Sequence, residues 1–310
     1  MSYFMSLNPL SLFRAMPGSI AQGMIWGVMA LGVYITFRLL DFADLTVDGS
    51  IATGAAVSVM LIRAGVSPIA TLPIAFLAGA LAGMVTGLLN TALGIPGILA
   101  SILTQISLYS INLNIMGKAN QPVSVDNYPL VVSLRYVTDG SVSRLLFFLG
   151  MIVFLLALIA VMYWYFGTEQ GHAIRATGCN SNMARAQGIN TNFIKVLALM
   201  ISNGLVGLSG ALYGQFQGAS DVNMGRGAIV IGLAAVIIGE AVFGKIFHNF
   251  GFRLLGVALG SIIYYLVLQV VIWMGIDTDL LKLLSAAVVA VFLAVPTWKT
   301  RYFSKVGKRG

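Results

Sequence analysis

Charge is what this sequence has least of. Only 9% of its 310 residues are Asp, Glu, Lys or Arg, where a soluble domain carries about a quarter, and this excludes a water-exposed globular surface. One cysteine, Cys179, rules out an internal disulfide, and in its polar stretch it reads as a bystander. Two histidines, His172 and His248, with no H-E-x-x-H and no cysteine pair, leave a metal centre or catalytic triad without ligands. No G-x-x-x-x-G-K-[ST] run occurs, so the chain has no phosphate loop of its own. The first sixteen residues lack the basic start, continuous apolar core and small-residue site of a cleavable signal.

What is present is apolar: 58% hydrophobic residues and a mean hydropathy of +0.92. Such a chain needs lipid as its solvent. With 35 glycines, 8 prolines and no alternating ten-residue pattern, the spanning elements are expected to be closely packed helices and not barrel strands. The fold class is therefore all-α, a polytopic transmembrane bundle forming one domain over residues 1–310. The net charge of +8 does not point to nucleic acid, because its densest run, Lys299, Arg301, Lys305, Lys308 and Arg309 in the tail 297–310, directly follows an apolar span.

A bilayer core of about 30 Å takes roughly 20 helical residues. Nearly charge-free windows fall at 19–39, 45–61, 68–89, 95–116, 145–165, 193–215, 228–243, 254–274 and 280–295, giving about nine spans (8–10). The second and seventh are short and glycine-rich, as broken or re-entrant helices are. Arg175, Arg185 and Lys195, then Lys245 and Arg253, then the basic tail can share one side if the C-terminus is cytoplasmic and the N-terminus extracytoplasmic. The polar segment 118–144 fits least well, since it holds three basic residues on the opposite side. DGSIATGAAVSVM (48–60) and RGAIVIGLAAVII (226–238) match at several offsets, which suggests an inverted internal repeat.

The segment 167–192, GTEQGHAIRATGCNSNMARAQGINTN, is the most informative. Thr168 is placed to cap a short helix that Gly178 ends in the left-handed conformation, and Asn180 or Ser181 to cap a second that Gly188 ends. Small residues between charges would give a ridge for another protein's groove; an ordinary anchoring loop is the plainer alternative. The order Gly171, Arg175, Gly178, Asn180, Ala184, Gly188, Ile189, Asn190 resembles the coupling segment of ABC importer permeases that serve branched-chain amino acids, ribose and related solutes. LTVDGSIATGAA (45–56) is similar to a subgroup with uncharacterised or aromatic-amino-acid substrates.

That resemblance implies an inner-membrane permease subunit importing a small solute such as an amino acid. It also implies a second permease copy, two cytoplasmic ABC ATPases that bind the ATP, and an extracytoplasmic substrate-binding protein. The chain itself would be no enzyme and hold no cofactor. Arg175 and Arg185 would then pair with acidic groups of the ATPase.

Within the windows, Ser101, Gln105, Tyr109 and Asn112 share one helical face, and Ser202, Ser209 and Tyr213 nearly share another. Two readings stand for both faces, a translocation path or interhelical hydrogen bonding. Asp48 is placed to cap the helix it opens, or to touch solute. Glu240 is an acid inside an apolar window, set either to take part in coupling or to pair with a base such as Lys245. An ion-coupled secondary transporter is the second functional reading, weakened by the scarcity of intramembrane acids. A membrane enzyme would need a residue cluster that the sequence lacks.

Overall fold

The computed structural model describes residues 9–124, 127–138, 141–244, 246, 249–274 and isolated positions between 283 and 294. Its elements are α1 (Pro9–Tyr34), continued by a π-helical turn (Ile35–Leu39), α2 (Val47–Arg63), α3 (Pro68–Thr91), α4 (Gly97–Met116), β1 (Asn120–Pro122), α5 (Leu134–Thr138), α6 (Ser141–Phe166), α7 (Glu169–Cys179), α8 (Ser181–Ala186), α9 (Thr191–Gln217), β2 (Ala219–Asp221), α10 (Ala228–Phe243) and α11 (Phe250–Trp273). The molecule is all-α apart from a ribbon of β1 and β2, paired antiparallel with Gln121 opposite Ser220.

Among the described residues, six helices are long and apolar enough to cross a membrane: residues 10–39 and 144–166, with α3, α4, α9 and α11. The short windows become α2, of 17 residues, and α10, of 16. At 1.5 Å per residue each is about 25 Å long, below the thickness of the hydrocarbon core. The window 280–295 and the tail 297–310 lie outside the continuously described residues. α1 begins ten residues earlier than its apolar window, because Pro17 is accommodated inside the helix.

α9 is the mast of the bundle. It runs against α2 on one side and α3 on another, and nearly every residue from Ser202 to Phe216 is buried. Close approach demands glycine at these crossings: a Cβ on Gly54 of α2 would strike the carbonyl of Gly207, and one on Gly79 of α3 that of Asn203. With no hydrophobic force between helices in lipid, such backbone contact and the polar bonds across it hold the elements together. Ser202 Oγ donates to the Gly32 carbonyl at 2.7 Å and Ser209 Oγ to that of Ile25 at 2.8 Å, tying α9 to α1. Asn203 accepts from Ser50 Oγ at 2.7 Å and donates to Asp44 Oδ2 at 2.7 Å, tying α9 to α2 and its entry loop. Gln215 donates to Ser58 Oγ at 3.2 Å and accepts from the Val131 N–H at 3.1 Å.

Two faces of the bundle can be told apart from these contacts. One gathers the end of α1, the start of α4 beside Phe42, α7 and α8, the start of α9 and the end of α10. The other gathers the end of α2, where Arg63 bonds Gln121, the β ribbon, and Gln269 of α11 bonded to Ser19 of α1.

Replacing Gly54 by Ala forces α2 off α9, an overpacking cost of about 3 kcal/mol. Gly150→Ala, at a site on α6 with open space around it, is neutral or gains up to about 1 kcal/mol of helix propensity. Thermal unfolding in detergent, followed by size-exclusion fluorescence, should show a lowered transition for the first variant alone.

Candidate functional site

The two short helices meet at their N-termini. Gly225 lies so close to Asp48 that a Cβ there would overlap the Asp48 carbonyl. From this point α2 runs toward the β ribbon, and α10 runs toward the end of α1. The Asp48 carboxylate does not cap its own helix. Instead Oδ2 accepts from the Gly227 N–H at 3.0 Å and Oδ1 from the Ile229 N–H at 2.9 Å, so Asp48 of α2 caps α10. The sequence pattern identified a capping aspartate but not which helix it serves, because the partner N–H groups come from 179 and 181 residues away. The exchange is physically favourable: a carboxylate at a helix N-terminus satisfies free donors and meets the positive end of the dipole.

Beside this junction is a cavity of about 300 Å³, lined by Asp48, Gly49 and Ala52 of α2, Gln105, Ile106, Tyr109, Ser110 and Asn112 of α4, and Val222 and Arg226 of the segment that leads into α10. Four sequence-predicted path residues, Asp48, Gln105, Tyr109 and Asn112, are therefore brought together. Ser101 is not among them; it is fully buried, its hydroxyl bonded to the Ile98 carbonyl at 2.8 Å. Ser202 and Ser209 are spent on α1 as described above, the interhelical alternative. Tyr213 stacks edge-on against Trp26 with centroids 5.2 Å apart, and its hydroxyl accepts from Gln217 at 2.6 Å. Arg226 was missed by the sequence reading as a site residue; its place at the head of the repeat-like segment 226–238, matching Asp48 at the head of 48–60, was the available signal.

The segment 167–192 folds as two short helices on the face where α1 ends. Thr168 caps α7 by accepting from the Gly171 N–H, and Asn180 caps α8 by accepting from Asn182 and Met183. Gly188 follows α8 with φ of +87°. Gly178 departs from expectation: it is an ordinary residue inside α7, and the helix ends instead at extended Asn180. Glycine is required there because a Cβ would overlap the carbonyl of Leu39, in the π-helical turn of α1. Gly171 similarly lets α7 lie on the end of α6, beside Phe166.

Arg175 does not project outward. Its guanidinium sits 4.1 Å from the Phe250 ring centroid and 5.7 Å from that of Phe166. Burial lowers its pKa from the ordinary arginine value, and the nearby Tyr34 opposes that shift. Arg185 is exposed and donates to Thr191 Oγ1 at 3.2 Å. Ala184 is buried under α8, Ile189 is half-buried, and Asn190 caps α9 by accepting from the Phe193 N–H at 3.2 Å. Met183, 60% exposed on α8, is an apolar group on an otherwise polar ridge that the sequence reading passed over. Glu240 at the end of α10 is paired, through Arg38 of the π-helical turn at 2.9 Å. Lys245 lies outside the described residues.

The family model for the branched-chain amino acid transport system permease component matches residues 16–301. The chain belongs to this permease family. The tyrosine transport system permease protein of Clostridioides difficile (strain R20291) is 39% identical over 275 residues, 89% of each chain. An uncharacterized protein of Rickettsia prowazekii, RP368, is 32% identical across 89% of this permease and 95% of its own length. The inner membrane ABC transporter permease protein YjfF of Escherichia coli K12 is 26% identical over 239 residues, 76% of this chain and 70% of that one. No solved structure matches. The permease is thus a membrane-embedded subunit of the ABC class, in a family of transport permeases.

Asp48→Ala in this permease leaves the first N–H groups of α10 without acceptors and is expected to cost about 1–2 kcal/mol. Asp48→Asn, keeping one oxygen acceptor, should lose less. Thermal transitions of the two purified variants, ranked against the native protein, check the order.

Proposed function

We propose that the permease forms the translocation path of an importer for an amino acid or a solute of similar size, driven by a cytoplasmic ATPase seated on α7 and α8. The observation that carries this reading is the polar cavity at the junction of α2 and α10 in a member of an ABC permease family. The amino acid rests on the tyrosine transport relative.

The face holding α7 and α8 is then cytoplasmic. With α6 entering that face and α9 leaving it, an odd number of passes puts the N-terminus outside and the basic tail inside. The likeness of 48–60 to 226–238, and the opposed directions of α2 and α10, support an inverted repeat. Exposed Tyr109 and Ser110 beside the cavity are costly against lipid, which supports a second permease copy closing the path along α4. The substrate-binding protein docks on the opposite, β-ribbon face. ATP is bound by the ATPase subunits, and no cofactor is assigned to the permease.

Exposed Met183 and Arg185 offer the ATPase an apolar knob beside a cation, the pairing that anchors protein interfaces. Gly171, Gly178 and Arg175 fix the ridge against α6, α1 and α11, and Gly188 turns the chain after α8. The secondary-transporter reading would need an acid open to both faces. Buried Asp44 is held by Asn203 and by the Thr46 N–H at 2.9 Å, and does not line the cavity beside Asp48.

Affinity purification from native membranes, with the tag on the C-terminal tail, tests the assignment. The native permease should bring down an ABC ATPase, and Met183→Asp with Arg185→Glu should reduce its recovery at least tenfold while permease yield is kept. A permease recovered without ATPase under gentle detergent would move the assignment to an ion-coupled secondary transporter.

A further inference from the structure

Asn112 stands apart from the other amides of the bundle. It is 1% exposed, and neither its Oδ1 nor its Nδ2 has a hydrogen-bond partner among the described residues. Asn203 and Gln215, equally buried, are bonded through both amide atoms. A buried amide with a free donor and a free acceptor is costly unless something else satisfies it, and Asn112 borders the cavity beside Asp48.

The charges around the same cavity are also unmatched. Arg226 lines it, exposed, with no carboxylate in ion-pair range among the described residues, where the Arg38–Glu240 pair is the one ion pair. Asp48 spends two acceptor positions on backbone N–H groups of α10, and a carboxylate has roughly four. One cavity thus presents an anionic and a cationic side chain that do not neutralise each other by contact, with an unbonded amide near them. An anion is repelled by Asp48, a cation by Arg226, and a neutral solute leaves both charges unanswered inside the membrane.

We propose that this cavity is a zwitterion-recognising subsite of the path. The carboxylate of an α-amino acid lies on the Arg226 guanidinium, its ammonium takes the remaining acceptor positions of Asp48, and the Asn112 amide bonds the same groups. Arginine suits the first role because its planar fork matches a carboxylate. The half-exposed ring of Tyr109 borders the site and accommodates the side chain. The inference rests on the importer reading above and adds to it the chemical class that the path itself recognises.

The test is ATP-driven import by the complete complex, permease with its ATPase and binding protein, in proteoliposomes supplied with a radiolabelled mixture of the proteinogenic amino acids. The native complex should accumulate label. Asn112→Leu and Arg226→Gln should each lower the initial rate at least tenfold while co-purifying with as much ATPase as the native chain, and Arg226→Lys, retaining the charge, should recover a substantial part. Native accumulation with full-rate import by both Asn112→Leu and Arg226→Gln would overturn the subsite and leave the importer standing. Absence of accumulation by the native complex would remove the amino-acid importer reading and the subsite with it.

Discussion

The structure turns on one carboxylate serving a helix that is not its own. Neither α2 nor α10 is long enough to cross the hydrocarbon, so each must begin inside the bundle, and a helix beginning there has unsatisfied N–H groups with no water to take them. Asp48 answers both requirements. It stands in the first turn of α2, where its charge favours that dipole, and lends both oxygens to the first turn of α10. Two positive helix ends are thereby held around one negative group, and the bundle acquires a fixed polar point at depth. The cavity exists because the irregular segments that lead to this point cannot pack as helices do.

That point can be held only if the helices around it are close. α9 supplies the closeness through glycine on both sides of its crossings, and the short side chains leave room for Ser50, Asn203 and Asp44 to bond across the seam. The polar residues in α9 therefore divide from those in α4 by what their neighbours offer. Ser202 and Ser209 find carbonyls of α1 within 2.8 Å and are consumed. Gln105, Tyr109 and Asn112 line the cavity beside the Asp48 junction instead, and the Asn112 amide has no hydrogen-bond partner among the described residues. Both helices carry a row of polar residues in the sequence; the outcome depends on the neighbour.

This is also where legibility in the sequence ended. Hydropathy located the helices, and the shortness of the windows at 45–61 and 228–243 marked the broken pair, because both signals are local. Caps at Thr168 and Asn180 were readable for the same reason. Asp48 and Gly178 were recognised as special but given the local roles that sequence suggests, a cap on α2 and a terminator of α7. Their actual partners, Gly227 and Leu39, are set by tertiary packing. Arg226 and Met183 carried no periodic signal, since each owes its interest to what surrounds it.

A mechanical consequence follows from how α10 is held. Gly178 of α7 lies against Leu39, whose π-helical turn carries Arg38; Arg38 grips Glu240 at one end of α10, and Asp48 grips the other end beside the cavity. π-turns concentrate at functional sites, where the extra residue weakens the helical ladder. A displacement of α7 therefore meets α1 at its least regular turn, and α10, a short rod fastened at both ends, can carry that displacement to the Asp48 junction. The Arg38–Glu240 contact is partly exposed and contributes modest stability, so it can break and reform within a transport cycle. The Asp48 cap, with two hydrogen bonds from a part-buried carboxylate, is the more durable of the two fastenings. A rod with one firm end and one releasable end thus links the α7 face to the cavity beside Asp48.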